Sequence, residues 1–266
     1  MLSLSFHYIN NACKTTIVYL HGFMGRGSDW QDIINSLGKQ VNHLTIDLPG
    51  HGQSLLRDQN VESLNYWQVV QQINDVIENH KNEIVHLIGY SMGGRFAWGI
   101  LKQYSALINR AIIESAHPGL DEAEERAERK RWDEEVAERL LKEPLQHFIE
   151  NWYQQPLFLL SKDDERLAQL IVRRLDNDAG QLAQVMRLFS VARQPSFRSF
   201  LHQVKQPLLY IAGEYDAKYV SIMRQLGQRN HYIQTMVIPG SGHNTHLQNR
   251  EEFVQSVRSF LNLIQH

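Results

Sequence analysis

Short, nearly unbroken apolar runs punctuate the chain, and they constrain its fold more than any other feature. Thr15 to Phe23 (TTIVYLHGF), Val41 to Gly50 (VNHLTIDLPG), Glu83 to Tyr90 (EIVHLIGY), Ile108 to Ala116 (INRAIIESA), Gln206 to Glu214 (QPLLYIAGE) and Thr235 to Gly240 (TMVIPG) read as strands. A strand with one wet face alternates apolar and polar residues. Continuous Val, Ile and Leu instead need cover on both faces, as in a parallel sheet between helix layers. The stretches between supply helical patterns: Ser28 to Leu37, Ser63 to Asn79, Met92 to Tyr104, Ser221 to Gln228 and Glu251 to Leu263. This alternation predicts an α/β fold with a doubly wound, mostly parallel sheet. The opening segment MLSLSFHYINNACK lacks a basic start followed by a long apolar run, so it reads as a first strand and not as a signal peptide.

From Pro118 to about Pro195 the rhythm stops and only helical patterns occur. The expected organisation is a core built from residues 1–117 and 196–266, with an all-helical cap inserted at 118–195. Asp121 with Glu124 three residues later resembles a capping box, and Glu125 with Arg129 four residues on suits an exposed helix. Leu140, Leu141, Phe148 and Trp152 give the charged insertion its apolar anchors. With 42% hydrophobic residues in 266, the chain can bury a large core. A formal charge of -2 provides no basic field for nucleic acid or an anionic membrane, so an anionic ligand must be met by local cations. Cys13 is the one cysteine, which excludes an intrachain disulfide and a multi-cysteine metal site. No apolar run approaches the roughly 20 residues that span a bilayer. The expectation is a cytoplasmic protein without membrane insertion or an obligate protein partner.

Gly89-Tyr90-Ser91-Met92-Gly93 matches G-x-S-x-G where a strand gives way to a helix. A turn that sharp strains its central residue and leaves no room for side chains on either flank, and it presents the serine oxygen at the sheet's carboxyl edge. A serine hydroxyl becomes a nucleophile or base only when a histidine takes its proton. The expected chain order is serine, acid, histidine. Asp216 follows the strand LLYIAGE and His243 lies in the loop after MVIPG, so Asp216 would orient His243 and His243 would exchange a proton with Ser91. His246 is the rival histidine, read as a loop or capping residue. Asp47 and Glu214 are weaker acids, with Asp47 read as a loop brace. His21 and His51, each at a glycine-rich strand exit, read as structural. The backbone N–H groups of Phe23 and Met92 are the expected oxyanion hole.

YLHGFMG, DLPGHGQS, GYSMGGR, the late Asp216 and His243, and the helical insertion together resemble the α/β-hydrolase superfamily over essentially the whole chain. A finer set, GYSMGGR, ESAHPGL, ERAERKR and EPLQHFIENWYQQPLF, resembles the 2-succinyl-6-hydroxy-2,4-cyclohexadiene-1-carboxylate synthases of menaquinone biosynthesis. That resemblance implies a lyase that removes a proton alpha to a ketone and expels pyruvate from a polycarboxylate, with no metal or organic cofactor. It also implies substrate-binding roles for Tyr90, Arg95, Arg129, Trp152 and Arg173.

Taken alone, these residues leave alternatives. Arg95, four residues after Ser91 on the same helical face, suits an anionic substrate or a structural salt bridge. Arg129 could be a solvated helix charge, Arg174 could stand in for Arg173 if the helix is rotated by one residue, and Trp152 could be cap core. The triad is equally compatible with a serine hydrolase acting on esters, thioesters or carbon–carbon bonds, whereas a non-catalytic binding module would predict a broken triad.

Overall fold

The computed structural model of the chain describes residues 3–56, 64–158 and 165–263. Seven strands form one sheet: β1 Phe6–Ile9, β2 Thr15–Leu20, β3 Asn42–Ile46, β4 Ile84–Tyr90, β5 Arg110–Glu114, β6 Leu208–Gly213 and β7 Ile233–Ile238. Their spatial order is β1-β3-β2-β4-β5-β6-β7, and β1 alone runs antiparallel to its neighbour. The remaining pairs are parallel, as the continuous apolar runs require. From β2 the chain crosses outward to β3 and then returns to the other flank at β4. The carboxyl ends of β2 and β4 therefore bound a topological switch point, where a crevice opens.

The helices are α1 Gln31–Leu37, α2 Tyr66–His80, α3 Met92–Gln103, α4 Ala123–Lys142, α5 Leu145–Tyr153, α6 Glu165–Arg174, α7 Ala179–Leu188, α8 Ala217–Arg229, α9 Thr245–Gln248 and α10 Arg250–Leu261. Ser63, the expected start of α2, lies outside the described residues. The helix starts at Tyr66 behind Asn65, whose side chain accepts from the amides of Trp67 and Gln68 at 3.0 and 3.1 Å while Gln68 reaches back to the Asn65 amide. α8 begins four residues before the predicted Ser221, because Asp216 caps it.

Helices pack on both faces of the sheet. One apolar layer joins Val18, Leu87 and Ile113 to Phe96 and Trp98 of α3 and to Val70 and Ile73 of α2; the opposite layer joins Ile17, Ile88 and Ile211 to Ile33 of α1 and Phe253 and Val257 of α10. Helices α4 to α7 fall between β5 and β6, where the sequence loses its strand rhythm, and they share a separate apolar cluster of Val136, Leu140, Phe148, Leu170 and Leu182. That cluster also takes in Met24 from the loop after β2, so the inserted helices sit against the strand exits.

Three local expectations differ from what is observed, the first being that Leu141, expected as an anchor of the insertion, is 54% exposed while Leu140, Phe148 and Trp152 join its apolar cluster. α4 starts at Ala123 behind Glu122, with no side-chain cap, and Asp121 instead lies 3.8 Å from Arg198. Arg129 turns from Glu125 toward the buried Asp133, with which it makes two hydrogen bonds of 2.8 and 2.9 Å. The pair one turn onward wins because Asp133 lies on the buried side of the helix, where a charge needs a partner. Among the described residues no helix is long and apolar enough to cross a membrane.

Candidate active site

β4 ends at Tyr90 and α3 begins at Met92, so Ser91 alone makes the turn, at φ 49° and ψ −108°. A non-glycine residue held there costs about 1–3 kcal/mol. The flanking glycines are required by contact. A Cβ on Gly89 would lie 2.8 Å from the Cα of Gly94. One on Gly93 would lie 2.5 Å from the carbonyl carbon of Leu20 and 2.6 Å from the carbonyl oxygen of His21.

His243 Nε2 lies 3.1 Å from Ser91 Oγ, and His243 Nδ1 lies 2.6 Å from Asp216 Oδ2. An ionised carboxylate only accepts, so Nδ1 carries a proton and a neutral imidazole presents its Nε2 lone pair to the serine hydroxyl. Asp216 is itself held, since its other oxygen accepts from the Tyr219 amide as the cap of α8. The Phe23 amide, just past β2, has no partner among the described residues, and the Met92 amide opens α3, where no intrahelical acceptor exists. Both flank the elbow, as an anion-receiving pair must.

The loop residues behave as braces. His21 Nε2 accepts from the Leu48 amide at 2.9 Å, and His51 Nε2 accepts from the Met24 amide at 3.0 Å. Burial holds the pKa of His21 down to about 4 and that of His51 to about 3, so both stay neutral acceptors. Asp47 accepts from the amides of Gly27 and Gln53, and Glu214 accepts from that of Gly240. His246 is turned away from Ser91: its Nδ1 lies 2.6 Å from Glu114 Oε2, and its ring stacks on Trp30 at 4.4 Å.

A cavity of about 660 Å³ opens onto Ser91 and His243, and a chamber of about 70 Å³ also reaches Ser91. Tyr90 lines the large cavity; burial, then the Glu114 charge, raises its pKa and keeps the phenol protonated. Arg95 lines the small chamber and donates to the Phe189 carbonyl at 2.7 Å. It makes no salt bridge to a carboxylate of the described residues. Burial, then the neighbouring Arg129, lowers its pKa to about 10, which leaves it charged at neutral pH. Arg129 and Trp152 line both spaces, with Trp152 stacked on Phe148 and edge-on to Phe23.

Arg173 is the exception. It lines neither space, whereas Arg174 is buried in the wall of the large cavity. Arg174 pairs with Asp29 at 2.8 Å and donates to the Tyr153 hydroxyl at 3.0 Å. The phase of α6 is set by Leu167 and Leu170, both buried, and Arg174 falls four residues after Leu170 on that same face. The inward-facing arginine of this helix is thus Arg174 and not Arg173.

Sequence reasoning missed Glu114. Its carbonyl accepts from the Ser91 amide at 2.8 Å, and its side chain accepts from the Thr245 amide and hydroxyl at 2.6 and 2.7 Å and from the His246 amide at 3.1 Å. One residue thereby ties the elbow to the loop carrying His243. The available signal was a carboxylate closing the apolar strand RAIIE at the edge that bears Ser91 and Asp216.

Among the described residues no group of His, Cys, Asp or Glu side chains is arranged to hold a metal ion. The family model described as alpha/beta hydrolase fold matches residues 15–250. The 2-succinyl-6-hydroxy-2,4-cyclohexadiene-1-carboxylate synthase of Enterobacter sp. (strain 638) is 36% identical over 233 residues, covering 88% of this chain and 86% of that protein. The protein of that name from Escherichia coli (strain K12) is 34% identical over 245 residues, covering 92% and 93%. Among solved structures, MenH from S. aureus superposes with a TM-score of 0.89 at 28% identity, covering 98% of each chain. A thermophilic esterase from Thermogutta terrifontis, with a TM-score of 0.82 at 20% identity over 97% of this chain and 93% of that one, shares the fold.

Proposed function

We infer the activity from membership: the chain belongs to the alpha/beta hydrolase fold family and, within it, to the 2-succinyl-6-hydroxy-2,4-cyclohexadiene-1-carboxylate synthases. It is a lyase of menaquinone biosynthesis. It eliminates pyruvate from 2-succinyl-5-enolpyruvyl-6-hydroxy-3-cyclohexene-1-carboxylate to give 2-succinyl-6-hydroxy-2,4-cyclohexadiene-1-carboxylate. Its substrate is a small-molecule polycarboxylate, and its place of work is the cytoplasm.

The observation carrying our mechanism is the unbroken contact from Asp216 through His243 to Ser91 at the floor of the large cavity. His243 takes the serine proton, and Ser91 Oγ removes the ring proton alpha to the succinyl ketone. The electron pair passes into the ketone as an enolate, whose oxygen faces the Phe23 and Met92 amides. It then returns through the ring double bond and breaks the carbon–oxygen bond to the enolpyruvyl group. The leaving enolate takes up a proton and departs as pyruvate. No acyl-enzyme forms. An oxyanion donor is worth roughly 3–4 kcal/mol in such a step. Arg95, Arg129 and Arg174 meet the carboxylates, for which planar guanidinium forks are suited. Tyr90 and Trp152 bound the ring.

Residues 118–195 act as the cap over this cavity, set on a core of 1–117 and 196–266. The His243 amide donates to Leu157 of the insertion at 2.8 Å, so a cap residue touches the loop bearing the base.

The test is to offer purified protein the enolpyruvyl substrate beside a panel of nitrophenyl esters and acyl-CoA thioesters. Rapid pyruvate release with negligible ester turnover is expected. Ester turnover without pyruvate release would make the protein a serine hydrolase.

A further inference from the structure

Most charged side chains at the large cavity already have partners. Arg174 pairs with Asp29, Arg129 with Asp133, His243 with Asp216 and His246 with Glu114. Lys218 differs. It lines the cavity and makes no hydrogen bond or ion pair with any described residue. It is also the second residue of α8, beside the helix's positive end, where a cation is disfavoured. Desolvation, then the charge of Arg129, lowers its pKa. Glu125 and Glu128, the unpaired acids of the same lining, are exposed on α4 and screened by water.

His117, three residues past β5, lines the same cavity at 6% exposure. Its Nδ1 accepts the Gly119 amide at 3.0 Å, so the neutral ring carries its proton on Nε2. No described residue accepts from that Nε2–H. Burial, then Lys218, Arg198, Arg129 and Arg95, holds its pKa to about 3. The ring is thus a neutral donor that lines a cavity shared with Lys218 and Arg129. A carboxylate fits this arrangement: it accepts from Nε2, pairs with the lysine and relieves its repulsion with Arg129.

We propose that Lys218 and His117 form a carboxylate subsite of the large cavity, beside the arginines, which holds one acidic arm of the substrate. The proposal rests on the lyase reading for the identity of that arm. The chemistry it requires, a carboxylate on a small ligand, does not depend on catalysis.

The probe is 2-succinylbenzoate, an aromatic dicarboxylate with a ring acid and a succinyl acid, titrated calorimetrically with and without one acid methylated. Lys218→Met keeps the aliphatic stem and removes the charge. His117→Gln keeps a donor near Nε2, and His117→Phe removes it. For the dicarboxylate we expect Kd to rise about tenfold in Lys218→Met and His117→Phe and less than threefold in His117→Gln. Methylating the acid that occupies the subsite should weaken wild type equally and abolish the effect of Lys218→Met. In turnover, KM should rise with kcat changing much less, because the contact serves ground and transition states alike.

Unchanged affinity in Lys218→Met and His117→Phe overturns the subsite, as does a loss that persists equally with both methyl esters. Binding of 2-succinylbenzoate without pyruvate release from the enolpyruvyl substrate would sink the lyase reading alone. Pyruvate release with wild-type KM in both variants would sink the subsite alone.

Discussion

Adding one methyl group at Gly93 tests the elbow most directly. The Cβ of Gly93→Ala would lie 2.5 Å from the Leu20 carbonyl carbon and 2.6 Å from the His21 carbonyl oxygen, and closer still to the Leu20 oxygen. Carbon needs roughly 3.5 Å to sit at ease against such atoms, so α3 and the strand exit must part by about 0.5–1 Å. All three obstacles are backbone, and Leu20 is anchored in β2 between β3 and β4, so no side chain can swing aside. Overpacking of this kind costs about 1–3 kcal/mol, or roughly 3–10 °C in Tm for a domain this size. The effect on rate should be larger than the effect on stability. Met92 begins the helix that is pushed, and Phe23 lies on the loop it is pushed from, so the two expected oxyanion donors separate. Losing the register of one donor costs about 10²–10³ in kcat. The assay is pyruvate release coupled to NADH oxidation by lactate dehydrogenase, with circular dichroism confirming a folded protein at the assay temperature. A Gly93→Ala protein within threefold of wild type, with unshifted Tm, would refute the steric account of the elbow and the assignment of its amides.

Other outcomes follow from the same geometry. Ser91→Ala should lower pyruvate release at least 10³-fold without lowering Tm, since it removes the proton acceptor and relaxes no packed contact; turnover at a tenth of wild type would remove the serine from the mechanism. Arg174→Met should destabilise by about 3–5 kcal/mol, because Asp29 is left charged and enclosed, and Arg174→Met with Asp29→Leu should recover much of that in urea unfolding. Glu114→Ala should lower kcat more than it raises KM, with Glu114→Gln retaining part of the rate, as the loop bearing His243 loses its tether to the elbow; equal effects from both variants would make Glu114 merely structural. Acid should destabilise the fold before the carboxylates titrate. His21 and His51 fall from an ordinary 6.5 to about 4 and about 3 on folding. The unfolded chain therefore binds more protons, and stability is full above about pH 6.5 and lost as pH falls toward the folded values. Roughly 1–2 kcal/mol per histidine should go between pH 7 and pH 5, read from urea midpoints.

What could be read from sequence was whatever local sterics or chain order fixes. The sheet was legible because two-sided burial leaves continuous apolar runs, and the elbow because only glycine fits on either flank of Ser91. Asp216 and His243 were legible because strand exits converge on one edge. Contacts that depend on how the insertion packs were not. The fork of Arg129 follows Asp133, buried by packing between α4 and α7, and nothing in the local spacing favours it over Glu125. Arg173 and Arg174 are adjacent, and only the burial of Leu167 and Leu170 decides which of them enters the cavity. Glu114 and His117 lie in the ESAHPGL stretch, but that stretch does not say what either side chain touches, and Lys218 lies in no motif; the significance of Glu114 and Lys218 rests on partners made or missing far along the chain.

The pairing of the cavity's charges also explains why a hydrolase-like triad could serve an elimination. Arg129 spends its fork on the buried Asp133, and Arg174 gives Nη1 to the largely enclosed Asp29 and Nε to the Tyr153 hydroxyl, which fixes where each guanidinium stands before a ligand arrives. Arg129 keeps its Nη1 edge free, and Arg95 keeps whatever the Phe189 carbonyl does not take. A neutral ester offers those groups nothing in return for their desolvation, whereas a polycarboxylate replaces the water they lose. In the proposed mechanism, holding the ring by its acids against prepositioned cations would place one C–H beside Ser91 Oγ. The same hold would keep the ketone carbon from being driven onto the serine oxygen. On that proposal, selection for elimination over acyl transfer would reside in the walls of the cavity and not in the triad. Arg95→Ala should accordingly lose most pyruvate release while gaining, if anything, toward neutral esters. A variant that loses both activities in proportion would place the choice of reaction back in the triad itself.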